Sequence, residues 1–133
     1  MMIVLLVSVA PLSFGKPVTY VIDPSHTFPA FEADHMGGLS LWRGKINSTS
    51  GEIILDKKNK TGSVNVVMEM LSIDFGHDEM NKRAKSDDMF DIEEFPQASY
   101  EGKLINFQDG APTKVEGELT LHGITKNVDL EIK

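Results

Sequence analysis

The alternation of apolar and polar side chains is clearest at the C-terminal end of the chain, over residues 113–133. Two runs repeat an apolar residue at every second or fourth position, Val115, Leu119 and Leu121 first and then Val128, Leu130 and Ile132. Charged residues occupy most of the intervening positions, which is typical of a half-buried antiparallel strand. The link from His122 to Thr125 contains Gly123, which tolerates the positive φ of a tight turn. This segment therefore predicts a β-hairpin.

The same alternation predicts a central strand over residues 63–71, with a neighbouring strand over residues 97–107. Shorter β-prone runs precede them, and turn residues such as Gly, Pro and Asn separate these runs. They cover residues 18–22, 26–34, 39–47 and 52–56. Pro29 interrupts the second of these runs, since proline cannot donate to a strand ladder. Together the runs predict about seven strands.

One segment between these strands has a different pattern and predicts a helix. Residues 78–85 begin with Asp78 and Glu79 and end with basic side chains, an order that complements the helix dipole. The sequence thus predicts an all-β fold with one short helix. Many short strands with turn-rich connections favour an antiparallel barrel or a sandwich over a βαβ layout.

Composition limits the number of domains and the kinds of partner. A chain of 133 residues has room for one domain. Its net charge of -7 argues against a nucleic acid or an anionic membrane surface as the main partner, because both would repel it. The chain has no Cys, which excludes disulfides and thiolate chemistry.

The first fifteen residues are uncharged and rich in Ile, Val and Leu. This stretch is shorter than the ~20 residues of a membrane-spanning helix and is typical of the apolar region of a secretory signal peptide. We expect a signal peptide over residues 1–15, a mature domain over residues 16–133, and a periplasmic or secreted protein. After cleavage, no integral membrane span is expected.

The sequence contains no motif that specifies a catalyst or a metal site. The four histidines, His26, His35, His77 and His122, lack a second ligand at metal-binding spacing, apart from the acidic pair that follows His77. Nucleophile-elbow, phosphate-loop and zinc-protease motifs are absent from the sequence. We therefore predict no catalytic residue and no metal ligand.

The apolar strand faces are the remaining candidates for a functional site. If the sheet closes, every second side chain points inward and reaches either a packed core or an elongated cavity for an apolar ligand. The predicted inward residues are Ile53, Leu55, Val64, Val66, Met68, Met70, Val115, Leu119, Leu121, Val128, Leu130 and Ile132. Both outcomes, a filled interior and a ligand cavity, remain open on the pattern alone.

Several short blocks occur in order along nearly all of the predicted mature chain. They are YVIDPSHT at 20–27, Phe31, His35, Gly44, Gly51, SDDMFD at 86–91, Phe95-Pro96 and GELTLHGITK at 117–126. In content, order and spacing these blocks resemble the YceI-like family of periplasmic or secreted lipocalin-like barrels. The resemblance implies a non-enzymatic protein whose ligand is a long polyisoprenoid-type lipid, held in an apolar tunnel without any other cofactor. It also suggests His26, His35 and Arg43 as contacts for the lipid head group.

Two other functions remain as alternatives. One is an enzyme that acts on a small apolar or carbonyl substrate, with His26 or His35 as the acid or base. The other is a structural or stress-response module with a completely packed interior.

Members of the YceI-like family look longer at the C-terminal end, where additional strands close the barrel. We therefore expect a lipocalin-like barrel that is incomplete or open in this chain. The run of Val128, Leu130 and Ile132 would then form an exposed edge, and such edges associate readily with other strands. A homodimer is an expected consequence.

Overall fold

The computed structural model describes residues 15–133. The predicted signal peptide lies outside the described residues, except for Gly15. The strands, in chain order, are β1 (Val18–Val21), β2 (Ala30–His35), β3 (Ser40–Ile46), β4 (Thr49–Asp56), β5 (Thr61–Glu69), β6 (Ile73–Asp74), β7 (Gln97–Gln108), β8 (Ala111–Leu121), β9 (Ile124–Asn127) and β10 (Leu130–Glu131). A 3₁₀ turn (Met70–Ser72) precedes β6, and the helix α1 (Asp78–Lys85) follows it.

The strands form two antiparallel sheets. The larger sheet has the order β1-β4-β5-β7-β8, and both β9 and β10 pair with β8 at its far edge. The smaller sheet contains β2, β3 and β6. Within residues 15–133 no ladder joins β1 to the β9–β10 edge, so the larger sheet stays open. The expected all-β fold with one short helix and an open barrel is confirmed.

The predicted C-terminal hairpin is confirmed, and its turn follows from two residues. Leu121 pairs with Ile124, so the loop consists of His122 and Gly123, with φ values of 51° and 69°. Positive φ at both loop positions is the geometry that matches the twist of two-residue hairpins. Residues 128–129 separate β9 from β10, but the register does not change, since the Val128 backbone N–H donates to the Gly117 carbonyl oxygen. In β10, Leu130 pairs with Val115.

The helix begins and ends at the predicted residues. The His77 side chain caps its first turn by accepting a hydrogen bond from the Met80 backbone N–H. Asn81 attaches the helix to the smaller sheet, because its amide donates to Asp74 Oδ1 and its oxygen accepts from the Phe75 backbone N–H. The helix therefore covers one end of β6.

Two groups of buried side chains form the interior. The first contains Ile46, Met68, Met70, Ile73, Ala84 and Ala98, and joins both sheets and the helix. The second contains Val64, Tyr100, Leu104 and Val115, with Ile53, Leu55 and Phe107 packed against it. Val66 and Leu119 contact both groups, so the interior is continuous along the larger sheet.

The structure corrects several strand boundaries. The extended run predicted over residues 26–34 becomes a strand only from Ala30, since Pro29 breaks the ladder. The central strand ends at Glu69, because Met70 to Ser72 turn into the 3₁₀ segment. The estimate of about seven strands was too low, since the described residues form ten. The two-residue β6 was not predicted, and the returning arm of the C-terminal hairpin counts as two strands, β9 and β10.

Gly51 occupies a position in β4 where no other residue fits. Its φ is +146°, and an added Cβ would overlap the carbonyl oxygen of Asn65 on β5. We expect Gly51→Ala to lower the free energy of unfolding by more than about 2 kcal/mol, through backbone strain and this overlap. The control Gly76→Ala has a φ of +70° but open space around the added carbon, so a loss of only about 1 kcal/mol is expected. Urea denaturation of both variants measures the difference, and equal losses would contradict this explanation.

Candidate functional site

The interior contains a cavity of about 720 Å³ between the larger sheet and the segment that leads into β2. Its lining is almost entirely apolar. It comprises residues 26–31, Ile46, Val64, Val66, Met68, Met70, Ile73, Phe90, Ala98, Tyr100, Leu119, Leu121, Val128 and Leu130. A volume of this size lies within the usual range of small-molecule sites, roughly 300–1,000 Å³. The arrangement can hold a hydrocarbon chain away from water.

Most of the predicted inward residues line this cavity. They are Val64, Val66, Met68, Met70, Leu119, Leu121, Val128 and Leu130. The others lie elsewhere: Ile53, Leu55 and Val115 pack in the second buried group. Ile132 is 40% exposed, and its backbone N–H donates to the Thr113 carbonyl oxygen. We call Ile53, Leu55, Leu104, Phe107 and Val115 the packed end of the interior.

Tyr100 lies where the cavity meets the packed end. It lines the cavity, is only 6% exposed, and belongs to the second buried group. Its hydroxyl donates a 2.7 Å hydrogen bond to the carbonyl oxygen of Val128, which lies between β9 and β10. The ring thus extends from β7 across β8 to the edge strand.

Two glycines make room for the Tyr100 ring. A Cβ at Gly117 on β8 would lie 2.6 Å from the tyrosine hydroxyl oxygen, and one at Gly102 would lie 3.2 Å from the ring. The ring therefore lies directly against the backbone of the sheet. Glycines beside an aromatic residue on a sheet commonly serve this purpose.

The cavity reaches the surface at Phe28, which lines it and is 48% exposed, and we call this opening the mouth. Leu130, which pairs with Val115, also lines the cavity and is 43% exposed. His26 lines the cavity on the same segment as Phe28. Its Nδ1 lies 2.8 Å from Asp23 Oδ2 and 2.9 Å from Ser25 Oγ. Because a carboxylate only accepts hydrogen bonds, Nδ1 carries a hydrogen, and Nε2 is the ring nitrogen left for a ligand. The Asp23 carboxylate accepts hydrogen bonds from the Ser25 hydroxyl and from His26, and these, in that order, lower the pKa of Asp23.

The structure does not bring the other two predicted head-group residues to the cavity wall. Arg43 Nε donates to Glu32 Oε1 at 2.7 Å across β2 and β3, and this exposed pair raises the pKa of Arg43. The His35 ring packs 5.4 Å from the ring of Trp42, and its Nδ1 lies 3.0 Å from Ser40 Oγ. Both side chains are on the outer part of the β2–β3 hairpin.

A basic residue that the sequence did not indicate is near the mouth instead. Lys45 Nζ lies 5.3 Å from the centre of the Phe28 ring, in a cation–π contact. Lys45 is adjacent in sequence to Ile46, which lines the cavity. A cation and an imidazole are thus close to the rim of an otherwise apolar cavity.

Several residues that line the cavity were not predicted from the sequence, for identifiable reasons. On β7 the inward positions are Ala98, Tyr100, Gly102 and Leu104, and the two small residues obscure the apolar alternation. Phe31 follows the proline that interrupts its strand, and Phe90 lies in a loop after the helix. The signals that could have found them are Tyr100 at an inward position of β7 and the recurrence of Phe31 and Phe90 in the family blocks.

Neither a metal centre nor a membrane-spanning helix is found in the part of the chain that the structure describes. Residues 15–133 contain no group of three His, Asp or Glu side chains placed to hold a metal ion. Over the same residues, no helix has both the length and the apolar character to cross a membrane.

Tyr100 gives a prediction for alkaline pH. Burial, and then the negative charge of Asp129, raise the pKa of Tyr100 above its usual value of 10.0. The folded protein therefore keeps the hydroxyl proton of Tyr100 to higher pH than the unfolded chain does. The contribution of Tyr100 to the free energy of unfolding is complete below pH 10 and decreases above it. At pH 7 we expect the free energy of unfolding of wild type to exceed that of Tyr100→Phe by about 1 kcal/mol, because only wild type has the hydrogen bond to Val128. This difference should be smaller above pH 10.

Urea denaturation of both proteins between pH 7 and 11 measures this difference. Lys114 also has a raised pKa, because it hydrogen-bonds to Asp129, but both proteins contain it and its contribution cancels. A difference that stays constant through pH 11 would contradict a raised pKa of Tyr100.

Comparison with known proteins places these features in a family. The profile of the YceI-like domain matches residues 20–133. The UPF0312 protein of Vibrio campbellii is 35% identical over 124 residues, which cover 90% of this chain and 65% of the relative. Protein YceI of Escherichia coli is 34% identical over 117 residues, which cover 86% of this chain and 60% of the relative. The chain thus spans less than two thirds of the length of these relatives.

A solved structure shares the fold. The YCEI protein of Campylobacter jejuni superimposes with a TM-score of 0.62 at 23% sequence identity, over 84% of this chain and 66% of that chain. At this level of identity, the similarity concerns the arrangement of strands and helix.

Proposed function

The chain belongs to the YceI-like family, and on that premise we propose that it binds or transports a long-chain polyisoprenoid-type lipid in its interior cavity. The family membership confirms the resemblance found in the sequence. The observation that carries the proposal is the cavity of about 720 Å³ with an almost completely apolar lining. An apolar ligand is the chemistry that such a lining recognises.

The size of the cavity supports a long hydrocarbon chain. An apolar cavity of about 150 Å³ holds one benzene molecule, so a volume near 720 Å³ holds on the order of twenty to thirty carbon atoms. Met68 and Met70 line one part of the wall. Their flexible, polarizable side chains adapt to a ligand that has many conformations.

The energy available from burial is sufficient for binding. Transfer of about 400 Å² of hydrocarbon from water, at roughly 25 cal/mol per Å², releases about 10 kcal/mol before association costs. The strands use their backbone polar groups within the ladders, and few polar side chains reach the cavity. Selectivity would therefore depend mainly on the length and width of the cavity.

We place the head group of the lipid at the mouth, beside His26 and Lys45. Nε2 of His26 is available for a hydrogen bond, and Lys45 supplies a positive charge next to the exposed ring of Phe28. Arg43 already pairs with Glu32, and His35 packs on Trp42 outside the cavity. In this proposal they do not contact the head group.

The alternatives receive less support. A completely packed module would lack the cavity, whereas only the packed end of this interior is filled. Asp23, Ser25 and His26 resemble a hydrolase triad in composition, but both oxygen contacts of the histidine go to Nδ1. A catalytic serine would instead approach Nε2 while the carboxylate holds Nδ1. We therefore propose a binding protein without catalytic activity.

Export to the periplasm or the cell exterior is part of the proposal. It is supported by the uncharged apolar stretch over residues 1–15. Association through the open β9–β10 edge, as a homodimer, is also proposed, because Leu130 and Ile132 on that edge are 43% and 40% exposed.

A binding titration tests the proposed function. Purified protein is mixed with geranylgeraniol, and bound lipid is measured after removal of free lipid by gel filtration. Saturable uptake of about one molecule per chain is expected, with no turnover product in the extracted lipid. Lack of uptake, or chemical conversion of the alcohol, would overturn the proposal.

A further inference from the structure

We propose that the end of the β2–β3 hairpin docks the protein on a bilayer of zwitterionic lipid, by inserting exposed apolar side chains among the lipids. Residues 34–41 are all exposed, and we call them the hairpin tip. Within the tip, Met36, Leu39 and Leu41 are 71%, 77% and 58% exposed. Large apolar side chains that face water at the end of a hairpin gain free energy when they enter an apolar phase.

The length of the hairpin tip suits the surface layer of a bilayer. Three rungs of the ladder, from Ala33–Trp42 to His35–Ser40, follow the pair of Glu32 with Arg43. At about 3.4 Å per residue, the tip reaches roughly 10 Å beyond this ion pair. Interfacial segments insert to about 5–10 Å, so the tip reaches the acyl chains while the ion pair stays among the head groups.

The polar groups of the hairpin tip already have partners within the tip. The Gly38 backbone N–H donates to Asp34 Oδ1 at 2.6 Å, and the Ser40 hydroxyl is hydrogen-bonded to His35 Nδ1 at 3.0 Å. Residues 35–42 contain no Asp, Glu, Lys or Arg. Removal of this segment from water therefore leaves few polar groups without a partner, which is the main cost of entering lipid.

Trp42 lies at the base of the hairpin tip, where the head groups would be. Its ring contacts the rings of His35 and Phe75, at centroid distances of 5.4 and 6.1 Å. Tryptophan is enriched at this depth in proteins that contact membranes, because its ring is apolar and its N–H is polar.

Area and charge favour a zwitterionic bilayer over a second copy or an anionic surface. A stable protein interface buries roughly 800 Å² on each partner, and three side chains at the end of a hairpin provide far less. The net charge of the chain, -7, would repel an anionic bilayer. The tip residues that insert are uncharged, so a bilayer without net charge is the surface that they fit.

Docking would bring the cavity to a source of apolar ligands. Residues 26–31 line the cavity, and β2 begins within this segment at Ala30. The hairpin tip itself is not part of the cavity wall, since none of residues 34–41 line it. Docking and lipid binding are therefore separable, and each is testable without the other.

The test uses Trp42, the only tryptophan of the chain, as a fluorescent probe. Protein is titrated with phosphatidylcholine vesicles whose acyl chains are brominated, because bromine quenches a tryptophan that lies close to it. Saturable quenching is expected for wild type. In Leu39→Gln the partition coefficient should decrease at least about tenfold, and about 100-fold when Met36→Gln is added.

Leu71→Gln is the matched control. Leu71 is 68% exposed and precedes β6, which pairs with Lys45 and Ile46 at the end of β3 that is far from the hairpin tip. Its partition coefficient should stay within about twofold of wild type. All proteins have the same N-terminal segment, and thermal unfolding confirms that each variant is folded.

Four results would overturn the proposal. They are the absence of quenching in wild type, equal losses in Leu39→Gln and Leu71→Gln, binding that requires anionic phosphatidylglycerol, and Leu39-dependent dimers without vesicle binding. Uptake of geranylgeraniol, measured by gel filtration, should be unchanged in Leu39→Gln. Failure of wild type to take up this alcohol would overturn the proposed function and leave docking intact.

Discussion

Substitution of Val66 by arginine should weaken the binding of geranylgeraniol on the order of 100-fold or more, because a charge without a partner would face the hydrocarbon. Val66 lies on β5 at the middle of the larger sheet, and it contacts both buried groups as well as the cavity. Its exposed part faces the ligand space, so an arginine there must either occupy that space or lose its hydration.

Val67→Arg is the matched control for this prediction. Val67 is the next residue of the same strand and is not part of the cavity wall, since adjacent residues of a strand point to opposite faces. The affinity of this variant should stay within about twofold of wild type, because the new charge lies on the face of the sheet that does not line the cavity. Gel filtration with radiolabelled alcohol measures both variants, and equal losses of binding would show that the cavity is not the ligand site.

Replacement of Ile73 by alanine should cause the largest loss of stability, about 4 kcal/mol of unfolding free energy. Ile73 is 2% exposed and lies in the first buried group, where β6 of the smaller sheet meets the larger sheet. Removal of its side chain leaves a void at the junction of the two sheets. The neighbouring Leu71 is 68% exposed, so Leu71→Ala should change stability by less than about 0.5 kcal/mol.

Urea denaturation at pH 7 gives both values. If Ile73→Ala lost no more stability than Leu71→Ala, the two sheets would not be joined through this buried group. A large loss of stability with a full capacity for lipid would show instead that the smaller sheet is dispensable for the cavity.

The sequence predicted those elements whose signals are local. The helix over Asp78 to Lys85 follows from the distribution of charge along one short segment, and the C-terminal hairpin follows from strict alternation around Gly123. These signals depend on neighbours within a few residues, so tertiary packing does not alter them.

The position of each side chain along the interior could not be predicted in the same way. Alternation tells which face of the sheet a residue occupies, but it carries no information on depth along the strand. Val64 and Val115 both point inward as predicted, yet Val64 borders the cavity and Val115 lies in the packed end. The hydrogen bond of Tyr100 likewise has no local signal, because its acceptor, Val128, lies 28 positions away in sequence.

The head-group residues show a similar limit. The family resemblance suggests His26, His35 and Arg43 as head-group contacts, and of these three only His26 lines the cavity. Arg43 forms its ion pair with Glu32 because β2 and β3 place the two residues opposite each other. Lys45 could not be selected from the sequence, since its approach to Phe28 depends on how the segment before β2 folds back.

Mass spectrometry of the lipid that copurifies with the protein tests the central claim most directly. The protein is expressed with its N-terminal segment, purified without detergent and extracted with organic solvent, and Val66→Arg is treated in parallel. We predict one long isoprenoid chain per wild-type molecule and no such lipid with the variant. A wild-type protein that carries no apolar ligand, and takes none up when incubated with prenyl alcohols, would contradict the account.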